Sequence, residues 1–403
     1  MDKLKLSGVI IATACAAAPA SAGGLWANEF GDFSGGRASA GAAAGVDDAA
    51  TLFHNPASGT RLKGNQLFTS VGAFLPRTKF DVEYTNPVLG VDNGGSAGVN
   101  APGGSFACVH DLNSDRWSAG LYLGALTGAG LDYNADWTGR YQATRVDMLL
   151  ATLAPTLGYR LTDRLSVGLS LQFWYSELTQ KLKVLTPLPA QPDGRAKLDG
   201  DDTGVAYTLG AMYELSDRTR FGLMYQSTLE PSYSGNIEVQ PPDLQVSSNT
   251  ELTLAQYARF AMHHDLDEHW SVDMTLGWDN WSELDNLLIS SEAGNAGLPT
   301  DWHDTYHYAW GAQYRPSANW SFTGGVAYDT NPVDKKYRVP ELPLDRQLRY
   351  ALGAQYQMIK NLTVGGYINY ADLGKARVAT RFFGGDYQEN GVLQLMMNAN
   401  WTF

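Results

Sequence analysis

The sequence lacks any apolar run suited to a membrane helix. Past its first 22 residues nothing approaches the ~20 apolar residues a spanning helix needs, and mean hydropathy is −0.25. A polytopic helical membrane protein is excluded. Charge is scarce, with Asp, Glu, Lys and Arg together 18% of 403 residues. It also leans acidic, net −13 with an isoelectric point near 4.9, so no nucleic-acid partner is expected. Cysteine is nearly absent. Cys15 falls in the N-terminal apolar stretch and Cys108 stands alone, so no internal disulfide is expected. A lone thiol near Phe106 reads as a small strand side chain. The motifs of common chemistries are missing: no G-x-S-x-G, no P-loop, no dinucleotide fingerprint. His263, His264 and His269 cluster without the spaced partners of a zinc site. His303 and His307 lie near Asp301 and Asp304 with no nucleophile pinned beside them. No catalytic residue, metal or cofactor is expected, and the chain is read as a non-enzyme.

Glycine (43), tyrosine (21) and tryptophan (11) are plentiful, and so many aromatics do not fit a solvated, disordered chain. The N-terminus reads as a targeting segment. Lys3 and Lys5 precede an apolar stretch, Leu6 to Ala18, and Ala20-Ser21-Ala22 is an A-x-A cleavage signature. Residues 1–22 are therefore expected to be a signal peptide, with the mature chain starting at Gly23.

Polar turns recur about fifty residues apart, at Asn113 to Arg116, Thr162 to Arg164, Ser216 to Arg218, Asp267-Glu268, Pro316 to Asn319 and Lys360-Asn361. Their flanks alternate with a period of two. Leu165, Val167, Leu169, Leu171, Phe173 and Tyr175 share one face, and Ser166, Gly168, Ser170 and Gln172 share the other. Trp270 to Trp278, Trp320 to Tyr328 and Leu348 to Met358 repeat the pattern. Such strands suit a soluble sandwich or a membrane barrel. Trp and Tyr at the strand ends favour the barrel, whose interfaces carry aromatic girdles. Six turns joining two strands each, a first strand near Gln66 to Phe80 and a last strand from Val392 to Phe403 make fourteen. The expected fold is all-β: a 14-stranded antiparallel transmembrane β-barrel over residues 65–403. Longer loops such as Asn86 to Gly104, Thr186 to Asp202, Glu230 to Ser248 and Asp329 to Leu344 would face outward.

Residues 23–64 do not alternate. They are rich in small residues, yet Leu25, Trp26, Phe30, Phe33, Leu52 and Phe53 make them too apolar for a free tail. A hatch (plug) inside the lumen is the better reading.

In this segment Asn28-Glu29-Phe30, Gly36-Arg37-Ala38, Asp47-Asp48-Ala49 and Asn55-Pro56-Ala57 follow one another in order. Together they resemble the hatch of the FadL/TodX family of outer-membrane transporters. Later stretches, Trp270 through Trp281-Ser282, Asp304-Thr305-Tyr306 through Tyr328-Asp329, and Asp345-Arg346, resemble the family too. The resemblance implies passive uptake of hydrophobic compounds, foremost long-chain fatty acids. Ligand would be caught at the outer loops, bound in a luminal pocket and released sideways past a kinked third strand. The alternative it leaves open is uptake of aromatic hydrocarbons by the same route.

It assigns the hatch motif to Asn55, Pro56 and Ala57. The ligand pocket falls to Leu25, Trp26, Phe30 and Phe33, with Lys181 and Lys183 as candidate carboxylate partners. Gly128 and Gly130, just after a third strand of about Arg116 to Thr127, would form the lateral-opening kink. Implied partners are the hydrophobic ligand and outer-membrane lipid, including lipopolysaccharide, around a monomer spanning the bacterial outer membrane many times. A hydrophilic porin fits the apolar plug poorly, and an outer-membrane enzyme would show turnover of a lipid or ester.

Overall fold

The structure is a computed structural model describing residues 25–185, 193–240, 244–284, 286–291, 294–299 and 301–403. The expected signal peptide and the start at Gly23 lie outside the described residues.

Among the described residues fourteen antiparallel strands close into a barrel, and a two-residue strand, Val378–Ala379, pairs with the last of them. They are β1 (Gln66–Thr85), β2 (Ala101–His110), β3 (Trp117–Asp132), β4 (Arg145–Arg160), β5 (Leu165–Val184) and β6 (Gly194–Ser216). Four follow in two collinear segments each: β7 (Thr219–Gln226, Ser232–Gln240), β8 (Leu244–Glu251, Tyr257–Asp265), β9 (Trp270–Asp279, Asn286–Ser291) and β10 (Gly294–Pro299, Thr305–Tyr314). Last come β11 (Trp320–Asp329), β12 (Gln347–Ile359), β13 (Leu362–Asp372) and β14 (Phe383–Thr402). Pairing of Gln66 with Thr402 through Thr85 with Phe383 closes the ring. The six polar turns of the sequence join β2–β3, β4–β5, β6–β7, β8–β9, β10–β11 and β12–β13 at one end.

Burial distinguishes barrel from sandwich. On β5 the apolar face is the exposed one, Phe173 at 49%, while Ser170 and Gln172 on the other face are at 0% and 2%. A soluble sandwich would show the reverse. The outer face therefore meets lipid, and the polar face lines a filled lumen. Near the short turns Trp117 packs against Tyr159, Trp270 against Tyr314 and Trp320 against Tyr356, with ring centroids 4.4, 4.5 and 4.8 Å apart. These form the aromatic girdle of that rim.

Two expected outer loops are largely strand. β6 begins at Gly194, inside the stretch Thr186 to Asp202, and Ser232–Gln240 of β7 lies within Glu230 to Ser248. Above the membrane both faces of a strand can be polar, so the apolar alternation that marks strands fades there.

Residues 25–64 form short helical turns, Phe33–Arg37, Ala42–Ala44, Thr51–His54 and Pro56–Arg61, packed against the inner wall. Too short to stand alone, these turns are held by wall donors from all round the ring. Ser105 of β2 donates to the Phe30 carbonyl, Arg220 of β7 to that of Ala44 and Asn398 of β14 to that of Gly31. Asn55 is fully buried. Its Nδ2 donates to the carbonyls of Ala43 (2.7 Å) and Ala211 on β6 (3.0 Å), and its Oδ1 accepts from the Ala57 amide (2.9 Å). Pro56, at the first position of the following turn, needs no donor there. Wall glycines make room, since a Cβ at Gly210 would collide with Asn55 and Pro56.

Candidate functional site

An apolar column runs from the outer loops down into the lumen. At its top the loop over residues 330–346 contributes Val333 and Leu344, and the 3-10 turn Trp281–Glu283 contributes Trp281. Trp26 lies beneath, 6.0 Å from Trp281 and 5.6 Å from Tyr257 between ring centroids, its Nε1 donating to the Ala255 carbonyl at 2.8 Å. Trp281 meets Trp302 at 5.3 Å. Lower down, Phe30 stacks on Phe53 (4.9 Å), which reaches Tyr122 on β3 (4.2 Å). Leu25, Trp26 and Phe30 thus lie together in one cluster. Phe33 lies at the edge of that cluster, packed edge-on against its member Phe68 on β1.

Lys181 and Lys183 are not in the lumen. They share the odd-numbered face of β5 with Leu169, Leu171, Phe173 and Tyr175, which is the outer face. The same period of two that sends those apolar side chains to lipid carries both lysines outward. The reading of them as luminal carboxylate partners is corrected accordingly. The cation beside the column is Arg259 on β8. Its guanidinium lies 4.6 Å over the Tyr257 ring, pairs with Asp279 at 2.8 Å and approaches Asn28 Oδ1 at 3.5 Å. A cavity of about 30 Å³ separates Phe30, His54, Tyr257, Arg259 and His307. Sequence reasoning missed Arg259, although its inward parity, between Tyr257 and Ala261, was a usable signal.

Around this point the lumen is ionic. Asp329 pairs with Arg349 and His307, and His263 with Asp273. Glu29 is sealed among these groups; burial raises its carboxyl pKa, against the pull of Arg349 and His307. At the upper edge Glu341 turns inward, its Oε1 accepting from Gln180 Nε2 at 3.3 Å and its Oε2 buried without a partner. Burial pushes it up to about 7.

The second feature is a break in the wall. β2 and β3 pair only from Phe106–Leu123 to His110–Ala119. Beyond that, Ala101 to Ser105 pair with β1 alone and Gly124 to Ala129 with β4 alone. The wall rejoins higher up, where the Val99 amide donates to the Gly130 carbonyl at 3.1 Å and Gly98 bridges Leu131. A register shift between Ala125 and Thr127 leaves Leu126 as the extra residue of a bulge. The glycines are therefore not the bend itself. Gly128 and Gly130 lie in regular register with Leu149 and Asp147 of β4, and they border the break.

The N-terminal segment is stitched to the bulge. The Ala27 amide donates to the Leu126 carbonyl at 2.9 Å, and Thr127 Oγ1 donates to the Leu25 carbonyl. A cavity of about 160 Å³ lies at the break, lined by Val99, Ala101, Ala129, Gly130 and Met148 among others. The Leu126 carbonyl, turned out of the ladder by the bulge, is thus met by protein, as irregular backbone at membrane depth requires.

A family model described as "Outer membrane protein transport protein (OMPP1/FadL/TodX)" matches residues 13–401. The long-chain fatty acid transport protein of Salmonella typhi is 24% identical, over 90% of this chain and 91% of its own. Among solved structures, a Pseudomonas aeruginosa FadL homologue superposes with a TM-score of 0.88 at 19% identity, covering 94% of this chain and 100% of that one. The Ralstonia pickettii toluene transporter TbuX gives 0.67 at 17% identity, covering 93% and 99%.

Proposed function

The chain belongs to the OMPP1/FadL/TodX family of outer membrane transport proteins, and from that premise we propose that it carries long-chain fatty acids inward and releases them sideways into the bilayer. The route begins at the apolar column under the outer loops and passes the N-terminal hatch. It leaves through the break between β2 and β3. An apolar solute keeps its burial along this path, whereas a wet lumen would strip it away. The observation that carries the reading is the hatch N-terminus docked on the Leu126 bulge, which couples the column to the break. Arg259 is the cation placed to meet a carboxylate. The fatty-acid name of the Salmonella typhi relative supports the choice of ligand. The aromatic lining formed by Trp26, Trp281 and Trp302 favours a second reading, uptake of aromatic hydrocarbons. A route of this kind needs no catalytic step.

Binding of palmitate and of toluene to the purified protein separates the two. Arg259→Met with Asp279→Asn removes the pair without stranding a buried charge. It should weaken palmitate about tenfold or more, the value of a charge-assisted hydrogen bond, and leave toluene unchanged. Palmitate binding that ignores the double change, or toluene binding with none of palmitate, would reject the fatty-acid reading.

A further inference from the structure

Around Arg259 the lumen already holds more acid than base. Arg259 pairs with Asp279 at 2.8 Å, Asp329 pairs with Arg349, and Glu29 of the hatch lies 3.6 Å from Arg349. These are two guanidinium groups against three carboxylates, all of them buried. His307 Nδ1 lies 2.8 Å from Asp329. Counted as a third cation, it makes the set at most neutral. The other titratable groups around Glu29 are Tyr367 of β13 and the hatch's own Asp32–His54 pair, which add no net positive charge. A ligand carboxylate brought to Arg259 is one anion too many. A dry interior does not hold an uncompensated charge, so a proton must arrive with it.

Hydrogen bonding singles out the group that takes the proton. Asp279 accepts from Arg259 Nη2 at 2.8 Å, and Asp329 is bonded to both Arg349 and His307. Glu29 is held less well. Its Oε1 faces Arg349 Nε at 3.6 Å, too far for a hydrogen bond, and both atoms are buried without a partner. Of the three carboxylates it has the least to lose on protonation, and burial already raises it above its ordinary range. It also stands next to the ligand cation. The adjoining residue, Asn28, has Oδ1 3.5 Å from Arg259 Nη2 and Nδ2 3.5 Å from His307 Nδ1.

We infer that Glu29 takes up a proton as a fatty acid's carboxylate docks on Arg259, so that anion and proton are bound together. The inference rests on the fatty-acid reading of the column. The proton comes from water and adds to a Glu29 carboxylate oxygen, and no other bond forms or breaks. Ligand and proton then stand in the lumen in the ratio of the neutral acid, the form an apolar bilayer accepts. A neutral hydrocarbon brings no charge and needs no proton, so Glu29 distinguishes the two classes of ligand.

The test is calorimetric titration of the full-length protein in nanodiscs, in buffers of different ionisation enthalpy, which reports the protons taken up on binding. At about pH 8 palmitate should bind with uptake of about one proton, and its affinity should fall about tenfold per further pH unit. Methyl palmitate should bind with no proton uptake and no such slope. Glu29→Gln supplies a side chain of the same shape that is already neutral. It should bind palmitate about tenfold or more tighter than wild type at about pH 8, without proton uptake, and bind methyl palmitate as the wild type does. Glu29→Asp should restore the uptake. Palmitate bound by the wild type with no proton overturns the inference and leaves the transport reading standing. Uptake that persists in Glu29→Gln does the same, because it puts the proton on another group such as His307 or His54. Loss of both ligands in Glu29→Gln makes the residue a support of the hatch and also overturns it. Failure of palmitate to bind the wild type at all overturns the fatty-acid reading and the inference together.

Discussion

Replacing Asn55 with alanine should free the hatch and spare the barrel. Asn55 is fully buried and ties three pieces together: the Ala43 carbonyl of the neighbouring turn, the Ala211 carbonyl of β6 and the Ala57 amide that opens the next turn. Alanine fills none of these roles. The Ala43 carbonyl and Ala57 amide lose this partner in a dry setting, at about 1–3 kcal/mol each. The β6 carbonyl belongs to a ladder that stands without the side chain. A loss of about 3 kcal/mol multiplies the population of undocked hatch roughly a hundredfold, at 1.4 kcal/mol per decade. Hydrogen exchange resolved by peptide reads this directly. Peptides over residues 42–61 should exchange about a hundred times faster, while those from β5 and β12 keep their protection. Uptake of palmitate by cells should fall while surface expression holds. Unchanged protection over residues 42–61 would refute the claim that Asn55 seats the hatch. Loss of the barrel would make the residue part of the wall's assembly instead.

Two further outcomes follow from the same geometry. The purified protein should migrate differently on a gel before and after boiling, because a closed ring with its backbone paired resists detergent; identical mobility would count against the closure by β1 and β14. The loop over residues 330–346 should be pH-sensitive through Glu341, which burial holds at about 7 against an ordinary 4.5. Docking favours its protonated form, so loop stability is full below about 4.5, declines up to about 7 and is level above. A spin label at Lys336→Cys should become more mobile over that window, and Glu341→Gln should abolish the change.

The wall was legible because lipid imposes one rule on every strand. A side chain facing the bilayer must be apolar, so Leu165 to Tyr175 gave both the face and the period, and the turns gave the count. Where that rule lapses the signal lapses with it. Above the membrane Lys197, Asp199 and Asp201 face water, and the rising part of β6 reads as loop. Parity still held there, and it places Lys181 and Lys183 outside. The break was only half legible. Gly128 and Gly130 drew attention to the right stretch, but a bulge can form at any residue, and nothing in Leu126 announces it. The column was legible in Leu25, Trp26 and Phe30, since apolar residues in a non-alternating segment need a core. Phe33 met the same need against Phe68 on β1. Arg259 was hidden in an alternating strand, where its inward position matters more than its type.

The central claim is that ligand leaves through the break between β2 and β3. Ala101 on β2 and Ala129 on β3 line the same cavity there. With Cys108→Ser as background, Ala101→Cys and Ala129→Cys can be bridged by a short, reducible thiol crosslinker. Palmitate uptake should stop on crosslinking and return on reduction, with palmitate affinity constant throughout. If the bridged protein takes up palmitate at the rate of the reduced one, the ligand does not leave sideways and the account is wrong.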